Sequence, residues 1–169
     1  MASSTSLLFS YAALLFLVSF IQTGDAKVNG TLFMEQILDG HNAARAEVGV
    51  PPLTWDRNLA VFARGYIDED RRADCKLLYS ERWSFGETIY TGPRNITAAD
   101  AVAYWVSGKQ WYTYPANTCA VGKDCSDYTQ VVWRTTIHVG CAQIKCDTGD
   151  LFIACEYYPH GNYAGALPY

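Results

Sequence analysis

The chain has 169 residues, with 13 Lys or Arg against 17 Asp or Glu and half of its positions apolar. A net charge of −4 with no basic cluster excludes nucleic acid and anionic membrane surfaces as electrostatic partners. No internal repeat or low-complexity segment is visible.

The chain opens with an apolar run from Leu7 to Ile21, followed by the small residues Gly24 and Ala26. That run is shorter than the ~20 apolar residues of a membrane span, and no later segment comes closer. Residues 1–26 therefore read as a signal peptide cleaved after Ala26, which predicts secretion to the extracellular space. Taking these 26 from 169 leaves 143 residues, and Asp25 is the one charge removed, so the net becomes −3. Residues 27–169 suffice for a single domain with a core but not for two.

From Thr31, Phe33, Ile37, Leu38, Ala44 and Val48 recur at helical spacing, until Gly49 and Pro51-Pro52 stop the helix. His41 and Arg45 share one face of it and are expected to make structural hydrogen bonds. Thr54 or Asp56 caps a second helix through Leu59, Phe62, Ala63 and Tyr66 to about Arg72, with Trp55 stapled on the core. Ser80–Pro93 alternates weakly and holds a short strand before Gly92-Pro93. Thr97 starts a third helix with Ala98, Val102, Trp105 and Val106 inward; Gly108 weakens its end and Pro115 rules out continuation. Asn29-Gly-Thr31 and Asn95-Ile-Thr97 are glycosylation sequons.

The stretch from Cys125 to Cys155 is the most informative. Tyr128, Val131, Val132 and Trp133 suit a short buried helix; two β-rich runs follow, Ile137–Lys145 and Leu151–Tyr158, around the Thr148-Gly149 turn. Each run carries one cysteine, and in an antiparallel pair Cys141 and Cys155 face one another. All six cysteines follow the leader, an even number in an oxidising compartment, which predicts three disulfides. Cys119 and Cys125 enclose a short loop with Gly122 and favour a local bridge, which leaves Cys75–Cys146. This last bridge closes the longest loop and should stabilise most, on the order of 4 kcal/mol.

Tyr128-Thr-Gln-Val-Val-Trp133, Val139-Gly-Cys-Ala142 and Ile153-Ala-Cys155-Glu-Tyr-Tyr-Pro159-His-Gly-Asn162 resemble the two signatures of the cysteine-rich secretory, antigen 5 and pathogenesis-related superfamily. His41-Asn-Ala-Ala-Arg45, Leu53-Thr-Trp55-Asp, Gly86-Glu87 and the closing Pro168-Tyr169 extend the likeness over almost all of the chain after the leader. Its nearest branch is the class 1 pathogenesis-related proteins of plants. The resemblance implies an α+β fold, a three-layer α-β-α sandwich with a small central antiparallel sheet, and the same disulfide scheme.

The resemblance also implies a cleft in which many members carry two His and two Glu, a composition suited to Zn²⁺. Carried over motif by motif, those positions are Tyr79, Glu87, Gly108 and Asp127 here. Three of the four groups are replaced: a phenol with a pKa of roughly 10 is a poor ligand at neutral pH, and Gly108 has no side chain. Glu87 and Asp127 alone make a weak site for a hard cation, so no metal or other cofactor is expected. His41, His138 and His160 fall at other motif positions. With every Cys in a disulfide, and no His–Asp relay discernible for Ser80, Ser84, Ser107 or Ser126, no catalytic residue is assigned.

Two non-catalytic roles follow from the resemblance. Some members bind sterols or related lipids through a loop beside the third helix, here Gln110–Cys125 with Trp111, Tyr112 and Tyr114. Flat aromatics can cover a rigid apolar ring system or simply roof the core. The tail Pro159–Tyr169 resembles the family's releasable C-terminal defence peptide, with cleavage between Tyr158 and Pro159, although Glu156 replaces the usual Asn upstream. The chain is thus expected to be a monomeric secreted plant defence protein of the apoplast, binding sterol or lipid. An extracellular protease and a receptor are its further expected partners. The alternatives are a metal-dependent hydrolase and a cell-surface receptor ligand.

Overall fold

The computed structural model describes residues 30–80 and 84–169. The proposed leader 1–26, the Asn29 sequon and residue Trp83 lie outside them. In chain order the elements are helix α1 (30–47), strand β1 (Thr54–Trp55), α2 (Arg57–Tyr66), β2 (Gly86–Gly92) and α3 (Ala98–Ser107). There follow β3 (Tyr112–Thr113), β4 (Thr118–Cys119), α4 (Ser126–Val131), β5 (His138–Lys145) and β6 (Leu151–Tyr158). Residues Met34–Tyr169 form one compact unit.

The sheet runs β1-β5-β6-β2. Its three long strands pair antiparallel, and the register sets Cys141 directly opposite Cys155, where the two are bonded. β1 joins β5 in parallel, with Thr54 opposite His138 and Trp55 opposite Val139. The expected staple at Trp55 is therefore a strand residue: Thr54 N–H donates to Ile137 O at 3.0 Å and Asp56 N–H to Val139 O at 2.9 Å. The cap of α2 falls to Asp56, whose carboxylate accepts the N–H groups of Asn58 (2.7 Å) and Leu59 (3.2 Å).

The alternation of β5 and β6 builds the layers. Gly140 faces α2 so closely that a Cβ there would run into the backbone of Asp56 and Ala60, so only glycine lets the helix lie on the strand. On that side Ala63, Tyr66, Ile67, Ala142, Ile144, Phe152 and Ala154 form a core. Tyr157, one residue on from Gly140's partner Glu156, faces the other way, toward His41 of α1. Trp105 of α3 packs on the same side, donating from its indole to Ile89 O at 3.0 Å. Helices thus cover both faces of the sheet, giving three layers.

Arg45 is fully buried and holds the loops around α4 by donating to the carbonyls of Pro51, Val131, Trp133 and Thr136 at 2.7–3.0 Å. Thr97 and Asp100 form a reciprocal capping box at the start of α3. At Gly108 the helix does not fray but tightens into a single turn, Gly108–Trp111. The other bridges are Cys75–Cys146 and Cys119–Cys125, and no cysteine is free. Among the described residues no helix is long and apolar enough to cross a membrane.

Candidate functional site

The four carried-over cleft positions come from four separate segments. Tyr79 lies in the irregular stretch after Cys75, Glu87 in β2, Gly108 at the end of α3 and Asp127 in the first turn of α4. Tyr79 donates its hydroxyl to Asp127 Oδ1 over 3.4 Å. The Glu87 carboxylate accepts the Ser80 N–H at 3.2 and 3.0 Å and the Ser80 hydroxyl at 2.6 Å. Gly108 is buried against α4, where a Cβ would stand 3.1 Å from Tyr128 Cβ.

Burial raises the Asp127 carboxyl to about 7, the neighbouring Asp124 adding to the effect and the Tyr79 bond opposing it. Tyr79 is pushed above its ordinary range by burial and then by Asp127, Asp124 and Glu87, so it stays a neutral phenol. The histidines sit elsewhere. His41 is in the core, His138 meets the Thr54 hydroxyl at 2.9 Å, and His160 packs on Tyr163. Among the described residues no three His, Cys, Asp or Glu side chains gather closely enough to hold a metal ion.

Gly108 and Asp127 line a cavity of about 260 Å³, together with Tyr104, Trp105, Trp111 and Asp124. Trp111 is 38% exposed there, and Lys123 Nζ lies 4.6 Å from its ring centre. Tyr112 and Tyr114 are not part of its lining. They stand on a small hairpin, β3 with β4, that sequence reasoning missed although Pro115-Ala-Asn117 is a turn signal. Tyr112 donates to Asn117 Oδ1 at 2.7 Å, and Tyr114 stacks on Tyr169 with ring centres 4.5 Å apart. The structure therefore divides the expected aromatic trio: Trp111 faces the cleft and the two tyrosines face the tail.

The tail from Pro159 to Tyr169 lies against the domain. Pro159 O accepts the Thr136 hydroxyl, Gly161 N–H donates to Gln130 Oε1, and Pro168 O accepts the Arg134 N–H, at 2.7–2.8 Å. The Tyr158 carbonyl, at the bond expected to be cut, accepts the Ile137 N–H at 3.1 Å. Asn95 is exposed on the turn before α3.

A second concavity, also missed from sequence, is a groove of about 390 Å³ between α1 and α3. Ala43 and Ala44 face Ala99, Val102, Ala103 and Val106 across it. The signal was present as small residues at helical spacing in both helices, but their pairing is a tertiary fact.

A profile of the cysteine-rich secretory protein family (CAP) matches residues 38–157. The chain is 47% identical over 136 residues to pathogenesis-related protein 1B of Nicotiana tabacum, covering 80% of each chain. It is 47% identical over 138 residues to pathogenesis-related protein PRMS of Zea mays, covering 80% of this chain and 81% of that one. The crystal structure of Na-ASP-1 superposes with a TM-score of 0.71 at 23% identity, over 81% of this chain and 41% of that chain, and shares the fold.

Proposed function

The chain belongs to the cysteine-rich secretory protein family, and we propose that it acts as a secreted, non-enzymatic defence protein that holds a sterol or another lipid. On this reading residues 1–26 are the leader, 27–169 the working domain and the extracellular space its place of action. Its pathogenesis-related relatives support the defence role.

The observation that carries the lipid reading is the groove between α1 and α3. Its walls are methyl-rich, and its volume of about 390 Å³ lies in the range of small-molecule sites, roughly 300–1,000 Å³. The cleft residues, by contrast, do not fit a Zn²⁺ tetrad. Tyr79 is neutral, Glu87 already accepts three hydrogen bonds from Ser80, and Gly108 contributes nothing.

The test is retention of labelled cholesterol and of a labelled long-chain fatty acid by the purified chain. Ala99 and Ala103 are exposed on the groove, so Ala99→Arg and Ala103→Arg should block it without disturbing the core. Each should cut retention about tenfold or more, since a charged stem replaces apolar contact. Retention lost instead in Trp111→Ala would move the site to the loop. Retention by neither the parent nor any variant would end the lipid reading.

A further inference from the structure

The cavity at the end of α3 combines features that neither the lipid groove nor a metal uses. Tyr104, Trp105 and Trp111 give it aromatic walls, and Asp124 and Asp127 supply two carboxylates. It lies on the opposite face of α3 from the groove lined by Val102, Ala103 and Val106. At about 260 Å³ it falls below the size of drug-like pockets and suits a small head group.

Asp127 is part-buried, and among the described residues its carboxylate accepts only the long 3.4 Å contact from the Tyr79 phenol. A carboxylate drawn partly out of water is stabilised by a cation beside it. The cation nearest at hand, Lys123, forms no ion pair with Asp124 or Asp127 among the described residues. It lies on the face of Trp111 instead. That contact is an independent sign of what the cavity accepts: an alkylammonium is already seated on the aromatic wall, tethered to the chain. A hard metal ion would find two carboxylates and aromatic rings, a poor set of oxygen donors.

We propose that this cleft binds a small organic ammonium whose charge faces Asp124 and Asp127 and whose carbons rest on Trp111 in the place that Lys123 now takes. A quaternary head of the choline type and a primary alkylamine share this chemistry. Lys123 then acts as an internal competitor, which separates the proposal from a plain acidic patch. Removing the lysine should tighten binding, although it also leaves the cleft more negative toward every cation; the aromatic requirement tells the two effects apart.

The experiment is a calorimetric and NMR titration of the full chain with tetramethylammonium, choline and butylammonium chlorides at low salt, against matched NaCl. Saturable binding is expected. Trp111→Ala and Asp127→Asn should each weaken it about tenfold, and Lys123→Ala should strengthen it several-fold. Melting curves confirm that each variant is folded, and Lys123, being on the surface, keeps the test open should Asp127→Asn misfold. Calcium chloride competing at equal or lower concentration through the same residues would overturn the proposal in favour of a hard cation. So would the absence of saturable binding by both the parent and Lys123→Ala, or binding indifferent to Trp111→Ala. Capture by phosphatidylcholine but not phosphatidylglycerol vesicles, reversed by free choline, would support a lipid head group as the source; binding of the free amines alone would support a soluble one.

Discussion

The Nε2 atom of His41 lies 2.7 Å from the hydroxyl of Tyr157, and both side chains are fully buried between α1 and β6. The direction of this bond follows from its neighbours. Nδ1 of His41 is 2.7 Å from the Ile37 carbonyl, which can only accept, so Nδ1 carries the proton and Nε2 accepts from Tyr157. Thr88, 2.9 Å from the tyrosine oxygen, must then donate to it. Burial, before any neighbouring charge, pushes His41 down to about 4 and keeps it neutral.

Tyr157→Phe should therefore destabilise the fold by about 1–3 kcal/mol, because it leaves an acceptor on His41 and a donor on Thr88 buried and unpaired. Thr88→Val, which leaves the Tyr157–His41 bond in place, should cost less. Urea unfolding midpoints measure both. Equal midpoints for Tyr157→Phe and the parent would contradict this account of the chain of donors.

His41 and Asp127 set opposing pH slopes. The folded state holds His41 at about 4 against an ordinary 6.5, so stability is lost as pH falls through that window. It holds Asp127 at about 7 against 3.8, so stability is lost as pH rises through that one. Asp127→Asn removes the second slope only. The variant should gain on the parent by on the order of 1–3 kcal/mol at pH 8, with the gain vanishing near pH 4. Its stability should also fall more steeply between pH 6.5 and pH 4, where His41 is no longer opposed. Melting curves at three pH values test this; a difference that does not change with pH would show that Asp127 is not perturbed.

What the sequence disclosed was local. The Asp56 and Thr97 caps, the Cys141–Cys155 pair across a hairpin and the spacing of Ala98, Val102 and Trp105 are all written within a few neighbouring positions. β1 was invisible because two residues carry no periodicity and their partner, His138, is far along the chain. Motif positions named Tyr79, Glu87, Gly108 and Asp127; the structure brings Tyr79 to Asp127 and sets Gly108 and Asp127 on one cavity, meetings that no local pattern announces. The division of Trp111 from Tyr112 and Tyr114 was not legible, because it depends on how the Gly108–Trp111 turn rotates the chain into the β3 strand. The groove between α1 and α3 likewise exists only once the two helices meet.

On the proposed reading the cleft residues are a poor set of ligands for Zn²⁺, and supplying better ones should create a site. Tyr79→His, Gly108→Glu and Asp127→His together set two imidazoles and a carboxylate beside the retained Glu87. The Gly108 substitution brings a Cβ within 3.1 Å of Tyr128 Cβ, a tight contact expected to cost about 1–3 kcal/mol. The triple variant should therefore melt lower than the parent without metal and gain markedly with Zn²⁺, while the parent's melting temperature stays unchanged. Stoichiometric Zn²⁺ in the parent, by elemental analysis, would show instead that the cleft still binds the ion.

Release of the tail should require that it first leave its bed. The Tyr158 carbonyl is held by Ile137, Pro159 by Thr136, Gly161 by Gln130, Pro168 by Arg134, and Tyr169 by its stack on Tyr114. A protease needs an extended, unpaired segment, so cleavage at Tyr158–Pro159 should follow local opening rather than surface exposure. Weakening the distant end of the tail ought then to accelerate cleavage at its near end. Tyr169→Ala and Asn117→Asp, the latter removing the 3.0 Å donation to Ala166 O while keeping the acceptor for Tyr112, should each raise the rate of limited proteolysis several-fold while the global unfolding midpoint moves little. A chain ending at Tyr158 should lose a few kcal/mol, because Gln130, Thr136 and the Arg134 N–H lose partners and Trp133 loses cover. Proteolysis that proceeds at the parent's rate in both point variants would mean that the cut site is accessible with the tail still docked.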